Sequence, residues 1–487
     1  MNTLIQIFTT LIEFLAGIID FFFEGIGFAF NISKKNKNYN AEFSPQGILL
    51  SKYNRGFCMT GRRNLTKKDC YQNAMIIGGT GTGKTSVVII PSLFSMRESF
   101  VIHDPSGELY AKSAGYLFQK GFTIKVLNFA NPHVSSGYNP LERARTASDV
   151  QKVSSLLVDN ALGGKTKDPF WNTQASALLT MLITILKKQD PKYQNLHNVR
   201  HLLNNLGSNP EPVDALFTEY ADDILFAEYK SFIGYDEKVV SGVIATCKAS
   251  LQIFNDEYVA QVTSTDNIDF MEFRRTPTAL YIQNSIADQK YYSVLTSIFF
   301  EQFFAFVLNR FPKNDEKDIF FLIDEAASLN LPTLPLAVAN VRKHRAGIML
   351  LIQDFNQLVH NYGKYDADGI KANCNAKMYF TGASLETTKE LEQTLGKYQY
   401  EDEKKGTVIR PLMTNDEIRT LKMNRAILIC GHHPPILARL RPFYKNSQYL
   451  YYSQLETPDP IDQRLAITIP LLLLKHYKKE KIENEQA

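Results

Sequence analysis

The spacing of apolar and polar positions sorts the chain into three kinds of stretch. Residues 4–30, LIQIFTTLIEFLAGIIDFFFEGIGFAF, are almost continuously apolar. As a helix they would extend about 40 Å, long enough to cross a bilayer with tilt. Short apolar runs of strand length recur at 74–77, 100–103, 122–129, 278–282, 319–323, 348–352, 377–381 and 426–430. Bounded by turn residues and alternating with helical stretches, they predict a parallel sheet covered on both faces. Between residues 146 and 267 the period becomes helical, as at 173–187, where Leu178, Leu179, Leu182, Ile183 and Ile185 recur at helical spacing. No convincing strand interrupts it, which predicts an all-α insertion in an α/β domain.

These patterns predict four parts: a hydrophobic segment at 1–32, an α/β domain from 33–145 and 268–455, an all-α domain at 146–267, and a tail at 456–487. The tail holds a second apolar run at 467–474, followed by a lysine-rich stretch. Trp171, the only tryptophan, reads as a core anchor of the helical insertion rather than a stacking platform.

Composition narrows the class. Hydrophobic residues make up 44% of 487, enough for a sizeable core and against wholesale disorder. The net charge of +4, from 54 basic and 50 acidic side chains, is too even to mark a nucleic-acid binder by itself. Local charge would have to do so. Lys34, Lys35, Lys37, Lys52, Arg55, Arg62, Arg63, Lys67 and Lys68 cluster against only Glu42 and Asp69. That cluster reads first as a solvated or membrane-facing segment and second as a DNA contact.

Cys58, Cys70, Cys247, Cys374 and Cys430 are scattered without a CxxC pair, against a disulfide framework or a zinc site and in favour of a reducing, cytoplasmic setting. His197 and His201 have the i, i+4 spacing of metal ligands but no surrounding HExxH, and read as helix-surface residues.

Residues 4–30 do not resemble a secretory signal, since no basic residue precedes the run and no small-residue cleavage site ends it. Glu13, Asp20 and Glu24 share one helical stripe. A charge at the bilayer centre costs roughly 3 kcal/mol, so the stripe calls for partners. Two arrangements remain open: a spanning helix with its acids against other helices and its lysine flank cytoplasmic, or a helix lying flat or docked on a membrane protein.

The chemistry starts at the first strand. After the run 74–77 come Gly78, Gly79, Thr80, Gly81, Thr82, Gly83, Lys84 and Thr85, which match G-x-x-x-x-G-K-[ST]. Glycines let consecutive backbone N–H groups curl around phosphates, and a helix N-terminus adds its dipole. Lys84 is the point charge for the β- and γ-phosphates, and Thr85 offers a hydroxyl to Mg2+. Such a loop predicts a second apolar strand ending in an acid, and 319–323 followed by Asp324 and Glu325 fits. Ligands bind at this end of strands in open α/β sheets. Asp324 would hold the magnesium and Glu325 would polarise the attacking water.

Taken together these residues resemble the type IV coupling proteins, the TraG/TraD family of conjugation and secretion ATPases within the FtsK/HerA branch of P-loop motors. The resemblance rests on GGTGTGKT, IIPSLF, HDPSGEL, YNPL, DPFW, LIDEA, IQDFNQL and IRPLMTNDEI, in that order. It implies a RecA-like P-loop NTPase fold with a mainly parallel sheet, an inserted all-α domain and an N-terminal hydrophobic membrane-associated helix. It further implies ATP with Mg2+ as cofactors, and a homo-oligomeric ring (a hexamer) at the cytoplasmic face of the bacterial inner membrane. The implied task is to recruit DNA with its relaxase and feed it to type IV secretion channel subunits. Gln353 looks like the γ-phosphate sensor and Arg342 like an arginine finger presented in trans, with Arg345 as its competitor. Members of the family mostly have two transmembrane helices, where this chain has one acid-bearing segment at 4–30, and no acidic C-terminal extension is seen. Two other functions stay open: a nucleotide-switched membrane receptor or scaffold, and a FtsK/HerA-like pump moving another substrate.

Overall fold

Along β5 (Ile319–Ile323) every side chain is buried, and successive residues pack into different cores: Ile319, Phe321 and Ile323 on one face, Phe320 and Leu322 on the other. This is the period-two consequence of a strand covered on both sides, and it explains why the sequence there is uniformly apolar. Each fully buried side chain of this kind contributes about 1.5–3 kcal/mol. The computed structural model describes residues 41–161, 169–284, 287–402, 406–459 and 468–474. The membrane-associated segment expected at 1–32 lies outside the described residues, as do Asp168 and the lysine-rich end of the tail.

In chain order the strands are β1 (Ala74–Ile77), β2 (Ser99–His103), β3 (Thr123–Asn128), β4 (Thr278–Gln283), β5, β6 (Ala346–Ile352), β7 (Ala376–Tyr379), β8 (Lys397–Asp402), β9 (Gly406–Pro411), β10 (Arg425–Cys430) and β11 (Ile436–Arg439). Nine of them form one sheet, ordered β11-β10-β7-β1-β6-β5-β2-β4-β3. The seven from β7 to β3 run parallel. β10 and β11 are antiparallel additions at one edge. The run at 426–430 therefore forms a strand of opposite direction to its neighbour, which an outer position allows because no crossover helix has to return it. β8 and β9 form a separate hairpin. Its strands are largely exposed, so the sequence there carries no apolar alternation to announce it.

The registers place the functional edge. Ile77 of β1 pairs with Ile352 of β6, and Ile323 of β5 with Leu350 of β6. The segments leaving β1, β5 and β6 at their C-terminal ends thus emerge side by side. The ladder extends one step further, with Gly78 N donating to Ile352 O at 3.3 Å.

Between β3 and β4 the chain is helical: Ala147–Ala161, Pro169–Leu186, Leu196–Ser208, Glu211–Tyr220, Asp223–Ile233, Glu237–Ser250 and Glu257–Val262. Asn195, Asp222, Asp236 and Asp256 cap four of these helices by accepting from first-turn N–H groups. Trp171 is half-buried against this core, close enough to Gly242 that an added Cβ there would lie 2.6 Å from its ring. Residues 468–474 return to these helices, where Asn198 donates to Pro470 O (3.0 Å) and accepts from Leu472 N (2.8 Å). Leu472 is buried in the same core.

Among the described residues, one helix, Gln289–Leu308, is long and apolar enough to cross a membrane. It is instead a core helix, 67% buried, whose Phe300, Phe303 and Phe304 pack edge-on or tilted against Phe321 of β5.

Candidate functional site

The glycine loop leaves β1 and closes onto a helix that begins at Thr85. Gly81 (φ 74°) and Gly83 (φ 90°) adopt left-handed backbone that a Cβ would strain, so these two positions require glycine. Thr82 Oγ1 donates to Gly79 O at 2.8 Å and pins the turn internally. Proline ordinarily ends a helix, yet here the helix passes through Pro91 to Ser95. The turn Thr85–Ile89 is wound as a π-helix and changes to α from Ile90. Proline lacks an N–H and crowds the preceding turn, and the wider winding accommodates both.

Thr85 and Asp324, 239 positions apart, stand with Thr85 Oγ1 3.5 Å from Asp324 Oδ2. Two ligands of an octahedral Mg2+ at about 2.1 Å sit about 3 Å apart, so this pair of hard oxygens fits such an ion. Among the described residues no cluster of three or more His, Cys, Asp or Glu could hold a metal. Burial, reinforced by the charge of Glu325, pushes the Asp324 carboxyl up to about 6 against the opposing pull of Lys84. Lys84 donates to the carbonyl oxygens of Gly78 and Gly79, the latter at 3.0 Å. Burial lowers its ammonium from the ordinary value, while Asp324 and Glu325 favour its charge.

Glu325 adopts φ 54°, one of three non-glycine residues with positive φ among those described. Its carboxylate accepts from Gln353 Nε2 at 3.1 and 3.2 Å, and its N–H donates to Asp324 Oδ1 at 3.1 Å. Gln353 follows the last residue of β6, so the strand between the two motif strands supplies the group that holds the acid.

The two candidate arginines part company. Arg345 donates from Nε to Asp318 Oδ1 at 2.7 Å, and from its terminal nitrogens to Lys313 O and Glu316 O, both at 2.7 Å. Asp318 is fully buried and also binds Lys67 at 2.7 Å and Tyr71 Oη at 2.6 Å. Arg345 is thus a tie at the far end of β5. Arg342 is exposed, and its guanidinium makes no ion pair or hydrogen bond among the described residues. Both lie before β6, at the end of the sheet opposite the glycine loop.

Sequence reasoning did not single out His103, the last residue of β2. It is fully buried, with Nδ1 2.6 Å from Asp324 O, and burial lowers its imidazole to about 4. The motif HDPSGEL was visible as a turn entering a helix, but nothing in it shows a cross-strand bond. The neighbouring Asp104 caps the helix Glu108–Gln119, accepting from Leu109 N and Tyr110 N, and burial pushes it up to about 6. His197 and His201 each face a backbone carbonyl, of Phe254 (3.3 Å) and Leu472 (3.2 Å).

Known proteins resemble the chain along most of its length. A family model described as Type IV secretory system Conjugative DNA transfer matches residues 33–461. Protein VirD4 of Agrobacterium fabrum is 21% identical over 404 residues, which are 77% of this chain and 59% of that protein. Conjugal transfer protein TraG of Escherichia coli is 25% identical over 391 residues, 72% and 58% of the two chains. The chain thus spans about three fifths of the length of these curated relatives. Plasmid coupling protein TrwB, solved in complex with ADP and Mg2+, has a TM-score of 0.66 at 18% identity, covering 84% of this chain and 97% of that one. At that identity the likeness speaks for the fold, a RecA-like P-loop architecture with a mostly parallel sheet. With a family model matched across the sheet and the helical insertion alike, the chain belongs to the type IV secretory system conjugative DNA-transfer family.

Proposed function

We propose that the chain is an ATP-hydrolysing coupling protein that recruits DNA with its relaxase and drives it into a type IV secretion channel. The observation that carries the reading is the approach of Thr85 Oγ1 to within 3.5 Å of Asp324 Oδ2, beside the Glu325–Gln353 pair. TrwB has been solved with ADP and Mg2+ and with a non-hydrolysable ATP analogue, which supports the same ligands here.

In this reading the N–H groups of Gly79, Thr80, Gly81, Thr82 and Gly83 cradle the phosphates, that of Gly78, expected among them, being spent on Ile352 O, and Lys84 exchanges its loop carbonyls for phosphate oxygens. Thr85 and Asp324 hold Mg2+, which supplies neutralisation of charge on the phosphates when bound. Glu325 orients the attacking water, and Gln353 holds the Glu325 carboxylate until the γ-phosphate competes for its amide. Arg342, on the far end of β6, serves the site of the next subunit in a homo-oligomeric ring, a hexamer. The segment at 4–30 ties the ring to the cytoplasmic face of the inner membrane or to a membrane protein there.

Turnover of purified protein, wild type against Glu325→Gln, titrated with single-stranded DNA over a salt series tests the reading. A DNA-dependent rate that the substitution abolishes, and that weakens as salt rises, supports it. Turnover indifferent to DNA at every salt concentration counts against translocation.

A further inference from the structure

We propose that His103 is a positioning residue for hydrolysis: by fixing the peptide plane between Asp324 and Glu325, it sets where the Glu325 carboxylate points. The inference rests on the reading of Glu325 as the residue that orients the attacking water.

β2 and β5 are neighbours, with His103 paired to Ile323. One step beyond that pair the ladder would need a donor for the Asp324 carbonyl. The backbone cannot supply it: Ser99 N donates to Asp318 O, so in this register Asp324 O falls to residue 105, which is Pro105 and has no N–H, while Asp104 N faces β4 and bonds Ile282 O at 2.9 Å. The imidazole takes its place, with Nδ1 2.6 Å from Asp324 O. A carbonyl oxygen only accepts, so Nδ1 carries the hydrogen and Nε2 is the bare acceptor. Nε2 is buried and has no hydrogen-bond partner among the described residues. An unpaired buried acceptor is destabilising, which a core position chosen only for packing would avoid with an apolar side chain. The ring itself is held edge-on against Phe300, at 6.3 Å and 77°.

The backbone just past this carbonyl is unusual. Glu325 is left-handed at φ 54°, a conformation that a non-glycine residue keeps only where its surroundings over-determine it. Its own carbonyl accepts from Ser328 Oγ (2.7 Å) and Ser328 N (2.8 Å), and its carboxylate is held by Gln353. Those contacts fix the chain beyond the Glu325 Cα. The plane before it is held at its N–H by the adjoining Asp324 Oδ1 (3.1 Å) and at its carbonyl by His103, which ties it to the neighbouring strand. If that plane rotates, the Cα–Cβ bond of Glu325 swings while Asp324 can keep its place beside Thr85. The consequence falls on chemistry before binding, because the phosphate loop does not touch this plane and Asp324 meets Thr85 through Oδ2, not through the Oδ1 that accepts from Glu325 N.

The geometry names its own control. Asparagine carries an amide nitrogen at the position of Nδ1 and can donate to the same carbonyl. Leucine fills the space without a donor, and glutamine carries its amide one bond too far. DNA-stimulated turnover, KM for ATP, equilibrium affinity for a fluorescent ADP analogue and melting temperature are measured for wild type, His103→Asn, His103→Leu, His103→Gln and Glu325→Gln. The expected result is a kcat lowered about tenfold to a hundredfold in His103→Leu, with KM and ADP affinity within about twofold. His103→Asn recovers most of the rate. The inference is overturned if His103→Leu turns over at the wild-type rate, or if Asn and Leu lose rate equally and in step with melting temperature. Should His103→Leu fail to fold, the ratio of His103→Asn to His103→Gln decides, equality of the two sinking it. A fully active Glu325→Gln would instead overturn the underlying reading of the acid and the inference with it, whatever the His103 variants do.

Discussion

Replacing Arg342 by alanine separates a residue that acts on a neighbouring subunit from one that acts at home. β6 holds seven residues between Arg342's end of the sheet and Gln353. At about 3.3 Å per residue the strand spans about 23 Å, beyond the reach of an arginine side chain toward its own magnesium site. The guanidinium is exposed and bonds to nothing among the described residues, so its removal should leave the melting temperature within about 1 °C. An arginine presented in trans is worth about a thousandfold or more in kcat. Arg342→Ala should therefore melt like wild type and scarcely hydrolyse ATP. Mixing it with Lys84→Ala subunits, which have dead loops but intact arginines, sharpens the test. In a ring assembled at random from equal amounts, about one interface in four pairs an intact loop with an intact arginine, because such interfaces are heterologous. Turnover should recover toward about a quarter of wild type, although each parent is inactive. Mixed rings, verified by native mass spectrometry, that stay at the parental rates would refute action in trans. An Arg342→Ala protein hydrolysing at the wild-type rate would refute the role altogether.

The other arginine should behave in the opposite way. Arg345→Ala removes one partner of the buried Asp318 but leaves Lys67 and Tyr71, so a loss of about 2 kcal/mol is expected, with per-subunit turnover at low temperature nearly unchanged. A differential scanning measurement showing no drop would contradict the tie. With the Asp324 carboxyl raised to about 6 by burial, its neutral form dominates below that pH and cannot ligate a cation. Apparent Mg2+ affinity for the nucleotide-loaded protein should then be flat above pH 6 and fall about tenfold per unit below it. A titration that stays flat down to pH 5 would exclude Asp324 as a ligand. Asn198→Ala deletes both bonds to the strap at 468–474, at a local cost of about 1–3 kcal/mol. Amide exchange at Leu472 should accelerate without a change in β5, and unchanged protection there would show that Leu472 burial and its contact with His201 hold the strap without Asn198.

The legibility of each feature in the sequence depends on the physical constraint its pattern encodes. The α/β class and the parallel strands were readable because a strand buried on both faces has to be apolar throughout, as 319–323 is. The hairpin β8–β9 was not, since its exposed positions impose no apolar period. The glycine loop and the pair Asp324–Glu325 stand out in the sequence because the roles proposed for them, phosphate and magnesium binding, restrict residue types at fixed spacing. That the two motifs should meet was expected of a shared nucleotide site, and the register of β1, β6 and β5 brings Thr85 and Asp324 to 3.5 Å. Arg342 and Arg345 could not be ranked by pattern. Both are cations before one strand, and only the three-dimensional position of Asp318 commits the second to the scaffold. The same holds for His103. Its neighbour in space is a backbone carbonyl, which every residue possesses, so no choice of side chain at 324 could have marked it. Sequence patterns report contacts between side chains that select each other. Contacts from a side chain to a backbone leave their trace on one partner only, and this site places one of them next to its most strained residue.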